Sequence, residues 1–142
     1  MQDWLYLITP FMAWLVAGVS KFAINCWREK RLAFDLIGYG GMPSNHSAIV
    51  FSMVTLIAWQ EGVNSAAFGA ALTLAYIVML DANSLRQKVG LQAAQINQLN
   101  QALKREQPVL RERMGHTKVE VLAGAVTGAF TASALYYLSL LV

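Results

Sequence analysis

Cysteine and charge are what this sequence of 142 residues has least of. A single cysteine, Cys26, excludes an intramolecular disulfide and cannot build a cysteine metal cage. Charged residues make up 13% of the chain and hydrophobic residues 56%, which is unusual for a soluble domain. We therefore expect an integral membrane protein, and no nucleic-acid partner despite the formal net charge of +3.

Two long runs, residues 4–26 and 119–142, contain almost no charge. Each reaches the roughly 20 residues that an α-helix needs to cross a bilayer. Two shorter runs, 47–59 and 66–80, predict a helical hairpin whose first helix begins at Ser44. The alternative for the hairpin is a pair of buried helices in a soluble core. No basic region precedes the first run, so we expect no cleavable signal peptide.

These patterns predict an all-α fold, a polytopic membrane bundle with about four transmembrane helices and one long amphipathic cytoplasmic helix. The chain is predicted to form one domain over residues 1–142, with helices at about 4–26, 44–60, 65–81, 84–107 and 117–142. In the helix at 84–107, Val89, Ile96 and Leu103 recur every seven residues and form a narrow apolar stripe. This stripe either packs across a homo-oligomer or covers the chain's own bundle.

Lysine and arginine are absent from residues 1–20 at the N-terminus and from the turn inside the hairpin, residues 60–65. All 11 fall in two windows, residues 21–31 and 86–118. Four crossings place both windows on one side of the membrane, and the positive-inside rule makes that side cytoplasmic. We therefore expect an inner (plasma) membrane protein whose basic residues and both histidines face the cytoplasm and attract anionic lipid.

The chain has 2 histidines, and each stands where an apolar run begins. His46 lies in the segment GGMPSNHS, residues 40–47, which combines a glycine turn with a helix start. Backbone N–H groups in such a place form an anion site, where the Ser44 hydroxyl would contact phosphate and His46 would protonate a departing alkoxide. Pro43 and Ser44 also have an ordinary explanation, because both residue types are common at helix starts.

His116 stands four residues before Glu120, which is one turn of a helix. A carboxylate at this spacing can hydrogen-bond one imidazole nitrogen and leave the other free to attack phosphorus. Thr117 and Glu120 also have the spacing of a capping box, so a purely structural role for Glu120 stays open.

Cations that could hold phosphate lie near both histidines. Lys21 and Arg28 are seven residues apart and project from one face of a continuous helix. The alternative is that Lys21 snorkels and Arg28 marks the membrane border. Asp81 and Arg86 bracket the end of the third predicted helix, where Asp81 would cap, pair with a cation or belong to a site. The histidines with Asp81 and Glu120 could hold a transition metal, but we expect a metal-independent site in which cations stabilise the charge.

Three motifs can be read in chain order: Lys21-x6-Arg28, Pro43-Ser44-Asn45-His46 and His116-x3-Glu120. Together they resemble the three motifs of the type 2 phosphatidic acid phosphatases and their vanadium haloperoxidase relatives. The segments around Gly41, Asp81 and Arg86 look more closely like the divergent branch of small membrane proteins in that superfamily. The likeness runs through nearly the whole chain.

The resemblance implies a membrane phosphatase without cofactors that hydrolyses a lipid phosphate monoester through a phosphohistidine. It implies that His116 is the nucleophile, His46 the general acid and Glu120 the residue that orients His116. The residues implied to hold phosphate are Lys21, Arg28, Ser44, Asn45, Arg86 and Arg113, with Gly41, Pro43 and Asp81 in support. Phosphatidylglycerophosphate is the first substrate we expect, ahead of phosphatidic acid and a prenyl phosphate.

The sequence departs from the classical motifs at three places. Asn45 stands where the second motif has glycine, Glu120 where the third has aspartate, and Leu110 where an arginine is expected. The nearest substitutes for that arginine are Arg111, Arg113 and Arg86. The alternative function is therefore a catalytically weak or inactive oligomeric scaffold that binds anionic lipid.

Overall fold

Helices make up most of the chain in a computed structural model that describes residues 3–34 and 41–141. They are α1 (Trp4–Glu29), α2 (Asn45–Gln60), α3 (Ala66–Leu80), α4 (Arg86–Ala102) and α5 (Lys118–Ser139). A π-helical segment, Asp81–Leu85, joins α3 to α4. The described residues contain no strand, which confirms the all-α prediction for that part of the chain.

Within residues 3–34 and 41–141, three stretches of helix are long and apolar enough to cross a membrane: Trp4–Glu29, Ala66–Ala102 and Lys118–Ser139. By contrast, α2 has 16 residues. At 1.5 Å per residue it is about 24 Å long, shorter than the roughly 30 Å hydrocarbon core of a bilayer. Of the four predicted transmembrane helices, three are therefore supported by length and composition, and α2 is too short to be counted with them.

The helices alternate in direction between two ends of the bundle. At one end the Tyr6 hydroxyl donates to Glu61 Oε1 at 2.7 Å, so the start of α1 meets the end of α2. At the other end the Ser44 N–H donates to the Glu120 carbonyl at 3.0 Å, so the start of α2 meets the start of α5. Despite its length, α2 therefore runs from one end to the other. The apolar core lies at the first end, around the fully buried Leu5, Leu56 and Ala132.

Glycines of α5 allow α2 to approach closely. A Cβ atom at Gly124 would collide with the carbonyl oxygen of Ser44, and one at Gly128 with that of Ala48. Small residues at such crossings let membrane helices pack backbone to backbone. This contact fixes the beginning of α2, and with it His46, against α5.

The chain differs from the prediction between residues 81 and 107. A break was expected before the amphipathic helix, but α3 continues through the π segment into α4, and the whole helix covers Ala66–Ala102. The polar residues at this point bond back to the helix instead of ending it, as Ser84 Oγ does to the Leu80 carbonyl at 2.8 Å. The helix then ends at Ala102, and Lys104, with φ of 51°, turns the chain.

Residues 103–117, which we call the return segment, run back along α4. Leu110 N–H donates to Asn97 Oδ1 at 2.9 Å, and Asn97 Nδ2 donates to the Leu110 carbonyl at 2.8 Å. Further along, the His116 N–H donates to the Ala82 carbonyl at 2.9 Å. The return segment thereby brings His116 to the π segment.

Candidate active site

A cavity of about 610 Å³ lies at the end of the bundle where α1 and α3 finish and α2 and α5 start. Its polar lining comes from four separate parts of the chain and consists of Lys21, Asn25, Asn45, His46, Arg86, Arg111 and His116. Both histidines, which are distant in sequence, therefore face one space together with three basic side chains.

Ser44 serves the helix and not the cavity. It is fully buried at the N-cap of α2, and its Oγ accepts from the Ser47 N–H at 3.4 Å and from the Ser47 hydroxyl at 3.1 Å. Because Ser44 is fully buried and does not line the cavity, it is not placed to contact phosphate as the sequence predicts. The next two residues, Asn45 and His46, do line the cavity.

The loop that leads into α2 contains two of the residues predicted to support the site, Gly41 and Pro43. Gly41 is buried with φ of 139°, a backbone conformation that favours glycine. Pro43 is buried too, directly before the N-cap. Neither residue lines the cavity, and Gly40 lies outside the described residues.

Glu120 has both of the roles that its spacing allows. Its Oε2 atom lies 3.2 Å from Nδ1 of His116 and also accepts the Thr117 N–H at 2.9 Å. Thr117 Oγ1 in turn accepts the Glu120 N–H at 3.3 Å, which completes the capping box of α5. Because an ionised carboxylate can only accept, the His116 contact places the imidazole proton on Nδ1 and leaves Nε2 unprotonated.

The surroundings of His116 favour its neutral form. Its side chain is almost fully buried. Burial lowers the pKa of His116 below its ordinary value, and the charges of Lys21 and Arg86 act in the same direction, while Glu120 opposes them. The imidazole is therefore neutral at neutral pH, as a nitrogen nucleophile must be.

Arg86 is oriented by Asp81 across the π segment. Arg86 Nε donates to Asp81 Oδ2 at 2.8 Å. About a third of each side chain is exposed, so the pair adds little to stability, on the order of 1 kcal/mol or less. The bond uses Nε, and the two terminal nitrogens of the guanidinium carry further donors for a ligand in the cavity. Asp81 therefore acts on the site through Arg86.

Besides Ser44, two predicted phosphate-binding residues do not line the cavity. Arg28 is exposed near the end of α1, two helical turns or about 10 Å beyond Lys21. Arg113 is exposed as well, and its carbonyl accepts from Nε of Arg111 at 3.3 Å. Of the three arginines that could replace the missing one, the structure brings Arg86 and Arg111 to the cavity.

Sequence reasoning missed two polar residues of this region. Asn25 lines the cavity one turn after Lys21, and that four-residue spacing is a signal that could have found it. Gln87 donates from Nε2 to the His116 carbonyl at 2.9 Å. It has no comparable signal, because its partner is 29 residues away in the sequence.

The remaining wall of the cavity is largely apolar. Trp14, Leu15 and Val19 of α1 line it, and each side chain is also exposed on the outside of the bundle. Across residues 3–34 and 41–141, no group of three His, Cys, Asp or Glu side chains is placed to hold a metal ion. The cavity thus combines a cationic end with an apolar side.

The fold and the cavity define a helical membrane protein with a histidine pair set among cations. The chain belongs to the divergent PAP2 family, whose sequence model matches residues 3–131, and the predicted resemblance is confirmed. It is 33% identical over 147 residues to the uncharacterized membrane protein YuiD of Bacillus subtilis (strain 168), a match that covers 92% of this chain and 93% of that protein. No solved structure is significantly similar.

Proposed function

We propose that this protein is a lipid-phosphate phosphatase that works through a phosphohistidine on His116. The observation that carries the proposal is the convergence of His46, His116 and three basic side chains on one cavity with an apolar wall. Phosphoryl transfer needs little more than positioning and stabilisation of charge on the phosphate oxygens. Lys21, Arg86 and Arg111 would supply that charge without a metal ion.

The proposed reaction has two steps. Nε2 of His116 attacks phosphorus, the bond between phosphorus and the alcohol oxygen breaks, and His46, in its protonated imidazolium form, gives a proton to that oxygen. Water then attacks the phosphohistidine, His46 takes a proton from the water, and inorganic phosphate leaves with His116 neutral again. Glu120 supports both steps, because its contact with Nδ1 stabilises the positive charge that develops on the ring.

The apolar wall supports a lipid as the substrate. Trp14 lies seven residues before Lys21 on α1, which corresponds to about 10 Å along the helix. If the phosphate lies near Lys21, the rest of the substrate would lie along Trp14, Leu15 and Val19, whose exposed side chains would also face the bilayer. The head group would enter sideways from the membrane while the hydrocarbon chains remain in it.

The proposed location is the inner (plasma) membrane with the cavity on the cytoplasmic side. The two basic windows support this orientation, because Lys21, Arg86 and Arg111 lie within them and basic residues are retained in the cytoplasm. A cytoplasmic site would meet phospholipid precursors, so phosphatidylglycerophosphate is the first substrate we propose.

A panel of phosphate monoesters tests this function. Purified protein in mixed micelles should release phosphate from phosphatidylglycerophosphate, phosphatidic acid or a prenyl phosphate. We expect a higher kcat/KM than for glycerol 3-phosphate, because only a lipid phosphate contacts the apolar wall formed by Trp14, Leu15 and Val19. A chelator should leave the rate unchanged.

The matched control is the His116→Ala protein purified in the same way, which reports any contaminating phosphatase. Failure of every lipid phosphate would refute the function. Loss of activity on chelation, restored by one divalent ion, would refute the metal-independent mechanism.

A second candidate function, an oligomeric scaffold that binds anionic lipid, is favoured by the surface of α4. Val89, Ile96 and Leu99 are exposed, whereas Gly90 and Ala93 are buried on the side that faces the return segment. In the seven-residue repeat, Val89 and Ile96 occupy a positions, and Leu85 and Leu99 occupy d positions with Gln92 at the d position between them. Branched residues at a and leucine at d are typical of parallel two-stranded coiled coils. Two copies in one membrane would present α4 in parallel.

Cross-linking tests the scaffold. In a Cys26→Ser background, single cysteines at Ile96 or Leu99 should form disulfide-linked dimers on mild oxidation in the membrane, because a and d positions meet their own copies in a parallel pair. A cysteine at Gln98, which is exposed on another face of α4, is the control and should stay monomeric. Equal cross-linking at all three positions, or at none, would contradict this interface.

A further inference from the structure

The π segment offers a backbone carbonyl to the return segment. Within Asp81–Leu85 the helix widens, and the Arg86 N–H bonds to the Asp81 carbonyl. The next carbonyl, that of Ala82, accepts the N–H of His116 at 2.9 Å. Single π turns inside α-helices are rare and occur often at functional sites. Here the π turn anchors the residue that the proposed function makes the nucleophile.

Two side-chain amides hold the other backbone polar group of His116, its carbonyl. The His116 carbonyl accepts from Gln87 Nε2 at 2.9 Å and from Asn83 Nδ2 at 3.4 Å. The two donors lie one and five residues after Ala82 on the same helix. The backbone of His116 is therefore tied to this helix through its N–H and its C=O.

Gly115 makes this approach possible. It has φ of 87°, and a Cβ atom there would lie 2.7 Å from Gln87 Cγ and 2.9 Å from the backbone nitrogen of Gln87. Any larger residue would push the return segment away from Gln87. The close contact therefore depends on Gly115 in the return segment and on the side-chain amide of Gln87 in α4.

We propose that Gln87 is a positioning residue that sets the place of His116 Nε2 for attack on phosphorus; this rests on the proposed function. Gln87 does not line the cavity, so it acts through His116. Glu120, which lies on α5, fixes the rotation of the His116 imidazole ring. Gln87, which lies on α4, fixes the backbone of His116. Two anchors on different helices are needed, because a misplacement of about 1 Å at a reacting atom costs as much as 100-fold in rate.

The test is Gln87→Met, which keeps the length of the side chain and removes the donor. We expect kcat to fall about 10-fold to 100-fold with lipid and aryl phosphates alike, with KM within about twofold of wild type. Gln92→Met, an exposed site on the same helix, is the matched control and should change neither constant. The melting temperature should stay within a few degrees of wild type in both variants, because Gln87→Met removes a single hydrogen bond.

Hydrogen exchange gives a readout that does not depend on turnover. In Gln87→Met the amide hydrogen of His116 should exchange about fivefold faster, which is the loss of about 1 kcal/mol of anchoring. Faster exchange with unchanged kcat in an active protein would overturn the positioning role, and so would a lower kcat with unchanged exchange. An inactive wild-type protein would refute the proposed function itself, which is a separate result from an active enzyme that tolerates Gln87→Met.

Discussion

Replacing His116 with alanine is expected to reduce phosphate release from a lipid phosphate by at least about 1,000-fold, because loss of a nucleophile removes the covalent route entirely. The fold should survive. Among the described residues the His116 side chain makes one hydrogen bond, to Glu120, and its backbone anchors to Ala82 and Gln87 do not need the ring. We expect a loss of about 1 kcal/mol in the free energy of unfolding.

The measurement combines turnover with trapping of the intermediate. Wild-type protein given a radioactive lipid phosphate and quenched in alkali should carry acid-labile phosphate, and the label should map to His116. Lys118→Ala, exposed at the start of α5, is the neighbouring control and should retain full activity and labelling. Label that persists in His116→Ala, or appears on His46, would contradict the assignment of the nucleophile.

How far the helices can be predicted depends on how continuous their patterns are. The runs that became α1 and α5 carry few charges, so their existence follows from composition and length. The junction at Asp81–Leu85 is different, because aspartate, asparagine and serine there are typical of a helix end. Asp81 and Ser84 find partners on the helix itself, in Arg86 and the Leu80 carbonyl. Asn83 donates instead to the His116 carbonyl, 33 residues away, and a local pattern cannot show such a partner.

The end of α4 was placed too late for a related reason. Apolar residues keep their seven-residue spacing through Leu103, and the prediction followed that spacing to 107. The chain instead turns at Lys104 and returns along α4, where Asn97 bonds to Leu110. A side chain that bonds to backbone across a turn carries no periodic signal.

The candidate site likewise contains residues that the sequence can predict and residues that it cannot. Residues within the motifs, namely Lys21, His46 and His116, could be named from spacing and residue type, and the structure brings them to one cavity. Arg28 shares a helix face with Lys21, but spacing around a helix says nothing about depth along it, and Arg28 lies beyond the cavity. Arg111 depends on the course of the return segment, which no motif predicts.

Replacing His46 with alanine is expected to separate alkyl from aryl phosphates. A lipid phosphate expels an alkoxide that needs a proton as it leaves, so kcat/KM should fall about 100-fold to 1,000-fold without the general acid. An aryl phosphate with an acidic phenol, such as 4-nitrophenyl phosphate, leaves without protonation. Its kcat/KM should fall no more than about tenfold.

The comparison uses kcat/KM because that constant includes only the steps up to release of the alcohol. His46 would also activate water in the second step, which affects kcat for both substrates and would hide the difference. His46 lines the cavity and is more exposed than His116, so its removal creates a gap that water can fill. The helix cap at Ser44 does not involve the His46 side chain and stays intact. An equal loss of kcat/KM with both substrates would mean that His46 binds phosphate and does not donate a proton. A large loss with the lipid phosphate alone would leave proton transfer to the departing oxygen as its role, since binding of the phosphate is common to both substrates.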